Sequence, residues 1–198
     1  MSARAADDAA SRIARLATGA TWLDLVATVG EAYGSEPVEH MADVDALSAW
    51  LSAVGLEPRR AVTATDLDRA RELREALRGL ALAQVGSTRP RKRDVDRLNA
   101  FLAAGRPLKL SSQVSQGLAL GQPATATDAL ERIARQAAED LTGRVAATLR
   151  MCADEACGML FLDASGRRRW CTADACGVRN RVRAHRRRLS NNAMPTKR

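Results

Sequence analysis

The chain has 198 residues, 46% of them apolar and 27% charged, and no stretch approaches the roughly 18 consecutive apolar residues of a membrane helix. It reads as a globular protein that does not span a bilayer. Its net charge of +8 comes entirely from one end: residues 1–144 hold 19 Lys+Arg against 19 Asp+Glu, whereas residues 145–198 hold 12 against 4. With three Trp, two Phe and one Tyr the chain lacks the aromatic platform that single strands stack on, so duplex DNA is the polyanion its basic end suits best.

Asp7 and Asp8 interrupt any apolar stretch that a secretory signal would need, so a cytoplasmic protein is expected. Ile13, Leu16, Trp22, Leu23, Leu25, Val26 and Val29 suggest one long or broken helix ending near Gly30 to Gly34. Asp43 is placed to cap a helix carrying Leu47, Trp50, Leu51 and Val54, stopped by Gly55 and Pro58. Thr65, with Asp68 three residues on, opens the clearest helix, lined by Leu67, Leu73, Leu77 and Leu80 and ended by Gly86. A shorter helix follows from about Asp94 to Ala104. Leu108 and Leu110, then Leu118 and Leu120 beyond Gly117, alternate with their neighbours as a small hairpin would. Thr127 is expected to cap a last helix bearing Leu130, Ile133, Ala137, Leu141, Val145 and Leu149, running straight into the cysteine segment. The ends, Met1 to Ala6 and Ser190 to Arg198, read as loose.

All four cysteines lie in that segment, as Cys152-x4-Cys157 and, thirteen residues on, Cys171-x4-Cys176. Pairs of thiolates a few residues apart sit on tight knuckles, and two pairs close a tetrahedral shell with no open position, so one structural zinc ion per chain is expected. Disulfides and free buried thiols are the alternatives, and disulfides need an oxidising compartment. Met159 to Leu162 is strand-like, Ser165-Gly166 turns the chain and Arg168 to Cys171 returns it; Cys176 then opens a helix. Knuckle, hairpin and ligand-bearing helix make a treble-clef arrangement. On that helix Val178, Val182, His185 and Leu189 form one stripe, expected to pack, and Arg179, Arg183, Arg186 and Arg187 lie beside it, expected to meet phosphate. His185 is the alternative metal ligand.

Cys152-x4-Cys157-Gly158-x-Leu160-Phe161-x-Asp163-x-Ser165, followed by Arg168-Arg169-Trp170-Cys171-x4-Cys176-Gly177, resembles the CGNR zinc finger, the C-terminal module of proteins regarded as stress-induced transcription regulators. Gly177 and Arg179 match the naming motif, Arg181 takes a basic place and His185 an aromatic one, while Val178 stands where the motif has Asn. Upstream, Leu23-Asp24-Leu25-Val26-Ala27-Thr28, with Leu47, Trp50, Leu51 and Gly55-Leu56, resembles the accompanying ABATE domain, and Ala27 again replaces an Asn. The expected fold is therefore mainly α: a helical ABATE-like domain over 1–148 with a small β-hairpin, a treble-clef-like CGNR-type zinc finger over 149–190, and a flexible tail over 191–198.

Two functions follow from these readings. In the first, a DNA-binding transcription regulator meets duplex DNA through Arg168, Arg169, Arg179, Arg181, Arg183, Arg186, Arg187 and Arg188, with Arg179 as the reader of a base edge or, alternatively, a brace for the knuckle. Its helical domain senses a ligand or forms a homodimer. In the second, the basic head docks on an acidic protein partner such as the transcription machinery. No catalytic triad, carboxylate pair or phosphate loop is visible, so no enzyme is expected. Trp22, Asp24 and Trp50 are candidates to line a small-molecule pocket, against the alternative that the indoles are core.

Overall fold

The computed structural model describes residues 18–113 and 117–192. Ile13 and Leu16 of the expected entry helix, and most of the expected loose ends, lie outside the described residues. In order come helix α1 (Thr21–Val26), strands β1 (Val29–Gly30) and β2 (Val38–Glu39), and helices α2 (Val44–Ala53), α3 (Ala64–Val85) and α4 (Lys92–Ala103). Strands β3 (Leu110–Gln113) and β4 (Gly117–Leu120), helix α5 (Ala126–Thr142), strands β5 (Leu149–Met151) and β6 (Leu160–Leu162) and helix α6 (Val178–Asn192) complete the fold. The described strands pair as three antiparallel hairpins, β1-β2, β3-β4 and β5-β6.

Helix α1 stops earlier than its apolar pattern suggests because the Thr28 hydroxyl donates to the Leu25 carbonyl at 2.7 Å, and the Thr28 carbonyl accepts from His40 N at 2.9 Å. Helix α2 follows the sequence closely. Asp43 caps it through Ala46 N, and Gly55 N and Leu56 N return to Ser52 O and Leu51 O, a Schellman closure with Gly55 at φ +73°. Helix α3 is capped two residues earlier than Thr65: Thr63 and Asp66 form the capping box. Both Thr-x-x-Asp pairs have the right spacing, but only the earlier start puts Val62 and Leu67 at the staple positions, where both pack on the core. The same shift occurs at α5, capped by Thr125 and not Thr127, because only Thr125 has an acid, Asp128, three residues on.

The core surrounds α3, whose Leu67, Leu73, Leu77 and Leu80 pack against α1, α2, α4 and α5. Hairpin β3-β4 forms with Leu110 opposite Leu120, as the alternation predicts.

The largest departure concerns the approach to the cysteines. Helix α5 ends at Thr142, Gly143 breaks it, and a 3-10 turn (Arg144–Thr148) leads into β5. Strand β6 pairs backwards with β5, Leu149 facing Leu162 and Met151 facing Leu160, and not forwards with the Arg168–Cys171 segment. Alternation along β6 then serves two cores. Leu160 (1% exposed) and Leu162 join the helical core together with Leu149, while Phe161 turns to the cysteines with Met159 and Trp170. Helix α6 runs to Asn192, two residues into the tail expected from 191.

Candidate metal centre and nucleic-acid interface

The first knuckle is closed by Cys152 N donating to Met159 O at 2.8 Å and Cys157 N donating to Asp154 O at 2.9 Å. Gly158 takes φ +59° at its exit, where an added Cβ would collide with the Tyr33 ring. Asp163 makes the next turn. Its carboxylate accepts from Ser165 N, Ser165 Oγ and Arg168 N, bonds that hold its pKa below the usual carboxylate value. Arg168 stacks over Phe161 at 4.5 Å and donates to the Cys171 carbonyl, bracing the second pair. One π-helical turn (Ala173–Gly177) carries Cys176 into α6.

These turns bring the four cysteines together, with all four Sγ atoms within 4.8 Å of one another. Cys157 Sγ lies 3.7 Å and Cys176 Sγ 3.5 Å from Cys171 Sγ, close to the roughly 3.8 Å edge of a tetrahedron with Zn–S bonds of about 2.3 Å. None is in a disulfide, and all are buried. Hydrogen bonding from Cys171 draws the Cys157 thiol down to about 6, while Cys171, holding its proton in that bond, is pushed up, and burial lifts Cys176 to about 12. Crowded thiolates resist one another until a dication neutralises them, which is the electrostatic demand of a zinc site. Cys152, Cys157, Cys171 and Cys176 would hold it. His185 stays outside this group, exposed on α6.

Helix α6 is turned the opposite way from the sequence expectation. Asp154, its side chain fully buried in the first knuckle, accepts from Arg183 Nη1 (3.1 Å), Asn180 Nδ2 (3.1 Å) and Ala156 N (3.2 Å), with Arg179 Nη1 at 3.6 Å. Arg179 also pairs with Glu31 of the helical body at 3.2 Å. The arginine side therefore faces the metal knuckle, and Val178 (41% exposed), Val182 (43%), His185 and Leu189 (57%) face solvent. A carboxylate buried in the knuckle outbids two valines for that contact. Arg169 stacks beside Trp170 at 5.3 Å and remains exposed. Arg181, Arg186, Arg187 and Arg188 are exposed, and no ion pair among the described residues engages Arg181, Arg186 or Arg188. Asp154, Glu31 and Asn180 escaped sequence reasoning; the signal available was an acid inside the first cysteine pair of a strongly basic segment.

The three residues suggested for a ligand pocket are placed differently. Trp22 and Trp50 are enclosed in the core, at 1% and 0% exposure, and Trp22 Nε1 donates to Asp140 Oδ2 at 2.8 Å. Asp24 accepts from Thr18 Oγ1 at 2.6 Å, and burial raises its pKa to about 6 against the lowering effect of that bond. Beside Ala27, Thr28 and Glu39 are joined by the buried Arg74, which donates to Thr28 Oγ1 at 3.0 Å and to both Glu39 oxygens at 2.8 and 2.7 Å.

A helical body sharing its core with a four-cysteine metal hairpin defines a zinc-finger protein. Residues 19–144 match the model of the ABATE family, described as "Putative stress-induced transcription regulator", and residues 148–189 match the CGNR zinc finger. The first match spans well over half the chain, which therefore belongs to the ABATE family and carries a CGNR zinc finger. No curated protein matches the sequence. Among the described residues no helix is long and apolar enough to cross a membrane.

Proposed function

We propose that the protein is a cytoplasmic, DNA-binding transcription regulator without catalytic activity, in which zinc fixes α6 against duplex DNA and the helical body senses a ligand or dimerises. The observation that carries this reading is the division of the arginines. Arg168, Arg179 and Arg183 brace the metal site through Phe161, Asp154 and Glu31, while Arg169, Arg181, Arg186 and Arg188 are presented outward on the same small module. A cationic surface held rigid by a metal suits the phosphate backbone, whose contacts supply affinity without sequence information.

The test is fluorescence anisotropy of a labelled duplex with the zinc-loaded chain at stepped salt. About five phosphate contacts give a log–log slope near −4.5. Binding should vanish with a chelator. A flat salt response, or saturation by an acidic polypeptide in preference to duplex DNA, would transfer the basic head to the protein-partner reading.

A further inference from the structure

Helix α6 presents two chemically different sides, and only one is used by the fold. Arg179, Asn180 and Arg183 point to Asp154; Val178, Arg181, Val182 and His185, at positions i, i+3, i+4 and i+7, occupy the opposite side and are exposed. Exposed β-branched residues are poor helix formers and gain nothing from water, so local stability does not account for Val178 and Val182 on this face.

The occupant of that face must accept both the valines and their charged neighbours. A second copy would oppose Arg181, Arg186 and Arg188 with the same three arginines. A protein groove would find thin anchors, since valine and leucine are under-represented among residues that dominate protein interfaces. The major groove of duplex DNA meets both demands. It is about 12 Å wide against a helix diameter of about 10–12 Å, it is lined by phosphates, and its floor carries the thymine C5-methyl group, an apolar partner for valine, and the guanine O6/N7 edge for arginine.

Resting on the DNA-binding reading above, we propose that the outward face of α6 is a base-reading surface: Val178 and Val182 contact thymine methyls, Arg181 recognises an adjacent guanine, and His185 lies one turn further along the groove. Arg179, held by Asp154 and Glu31, positions the helix and does not read. Two helical turns rise about 11 Å, which spans roughly three base pairs. The preferred site therefore contains a subsite of three or four base pairs with at least one thymine next to a guanine.

Deoxyuridine lacks only the C5-methyl group, which makes the test specific. A preferred duplex is selected from a random pool with the zinc-loaded full chain, and each thymine is then replaced in turn by deoxyuridine. Removing a contacted methyl should weaken binding about fourfold, the equivalent of one apolar carbon returned to water. In Val178→Ala or Val182→Ala, both at exposed helical positions where alanine is well tolerated, the thymine–deoxyuridine difference at one position should disappear. The salt slope and zinc content should be unchanged. Arg181→Ala should lose the guanine preference, and Arg179→Ala should keep it. Equal binding of thymine and deoxyuridine at every position, or discrimination surviving both valine substitutions, would overturn the reading face while leaving DNA binding intact. Absence of duplex binding at moderate salt would overturn the proposed function itself.

Discussion

Replacing Asp154 by alanine removes the acceptor around which the metal module and α6 are arranged. The carboxylate is fully buried and receives Arg183, Asn180 and Ala156 N, with Arg179 nearby. Breaking a buried ion pair costs about 3–5 kcal/mol when the stranded partner stays buried. Here it does not: the Arg179 and Arg183 side chains are 34% and 49% exposed, Arg179 keeps Glu31, and Asn180 keeps the Cys176 carbonyl at 3.0 Å. With the guanidiniums free to rehydrate, the loss should be about 2 kcal/mol. Metal binding and folding of such a module are linked, so this corresponds to roughly a 30-fold fall in zinc affinity. Competition against a chromophoric chelator measures it, with the Asp154→Ala, Arg183→Ala and double variants closing a cycle whose expected coupling is about 1 kcal/mol. Zinc affinity within twofold of wild type, together with additive single effects, would refute the view that Asp154 anchors the helix.

Asp24→Asn should stabilise the protein at neutral pH. The folded carboxyl titrates at about 6 against 3.8 unfolded, so the folded state binds more protons between these values and wild-type stability declines as pH rises from about 4 to 6. Discounted for its partial exposure, the effect is about 1 kcal/mol, and thermal melts across pH 4–7.5 should show the decline in wild type and not in the variant. Chelation of zinc should lower protection of α3 amides in hydrogen exchange, because Leu149 and Leu160 leave the core when their hairpin loosens; unchanged protection would show the helical body to be independent. Gly158→Ala should cost at least about 1–2 kcal/mol through its left-handed backbone and the Tyr33 collision, read as a fall in melting temperature of the zinc-loaded chain.

The cysteine spacing carried the metal site because ligand chemistry fixes both residue type and separation, and nothing else in the segment competes for those positions. Helix existence was equally legible for α2, α3 and α5, whose caps and apolar periods agree. Starts at Thr63 and Thr125 were missed by two residues, since a threonine's capping competence is local but the choice between neighbouring threonines depends on Asp128 in one case and on Val62 meeting Leu67 in the other. The orientation of α6 was not legible. Periodicity separates the valine side from the Arg179–Arg183 side, but which side turns inward depends on Asp154, more than twenty residues earlier and brought near only by the knuckle. The pairing of β6 with β5 was hidden for a similar reason: Leu149 continues the apolar period of α5, and only Gly143 signals that the helix has already ended.

The seam between the two matched regions falls at residues 144–148, yet apolar side chains from beyond it complete the body before it. Grafting this head onto an unrelated carrier at residue 148 would export Leu149, Leu160 and Leu162 with no surface to cover them, and would leave a leucine-lined hole in the donor. A functional chimera would have to move the hairpin's inner face as a matched set with its bed on α3 and α1. Heads and bodies joined in this way are expected to change in step, each leucine on β5 or β6 constraining which residues its seat can accept.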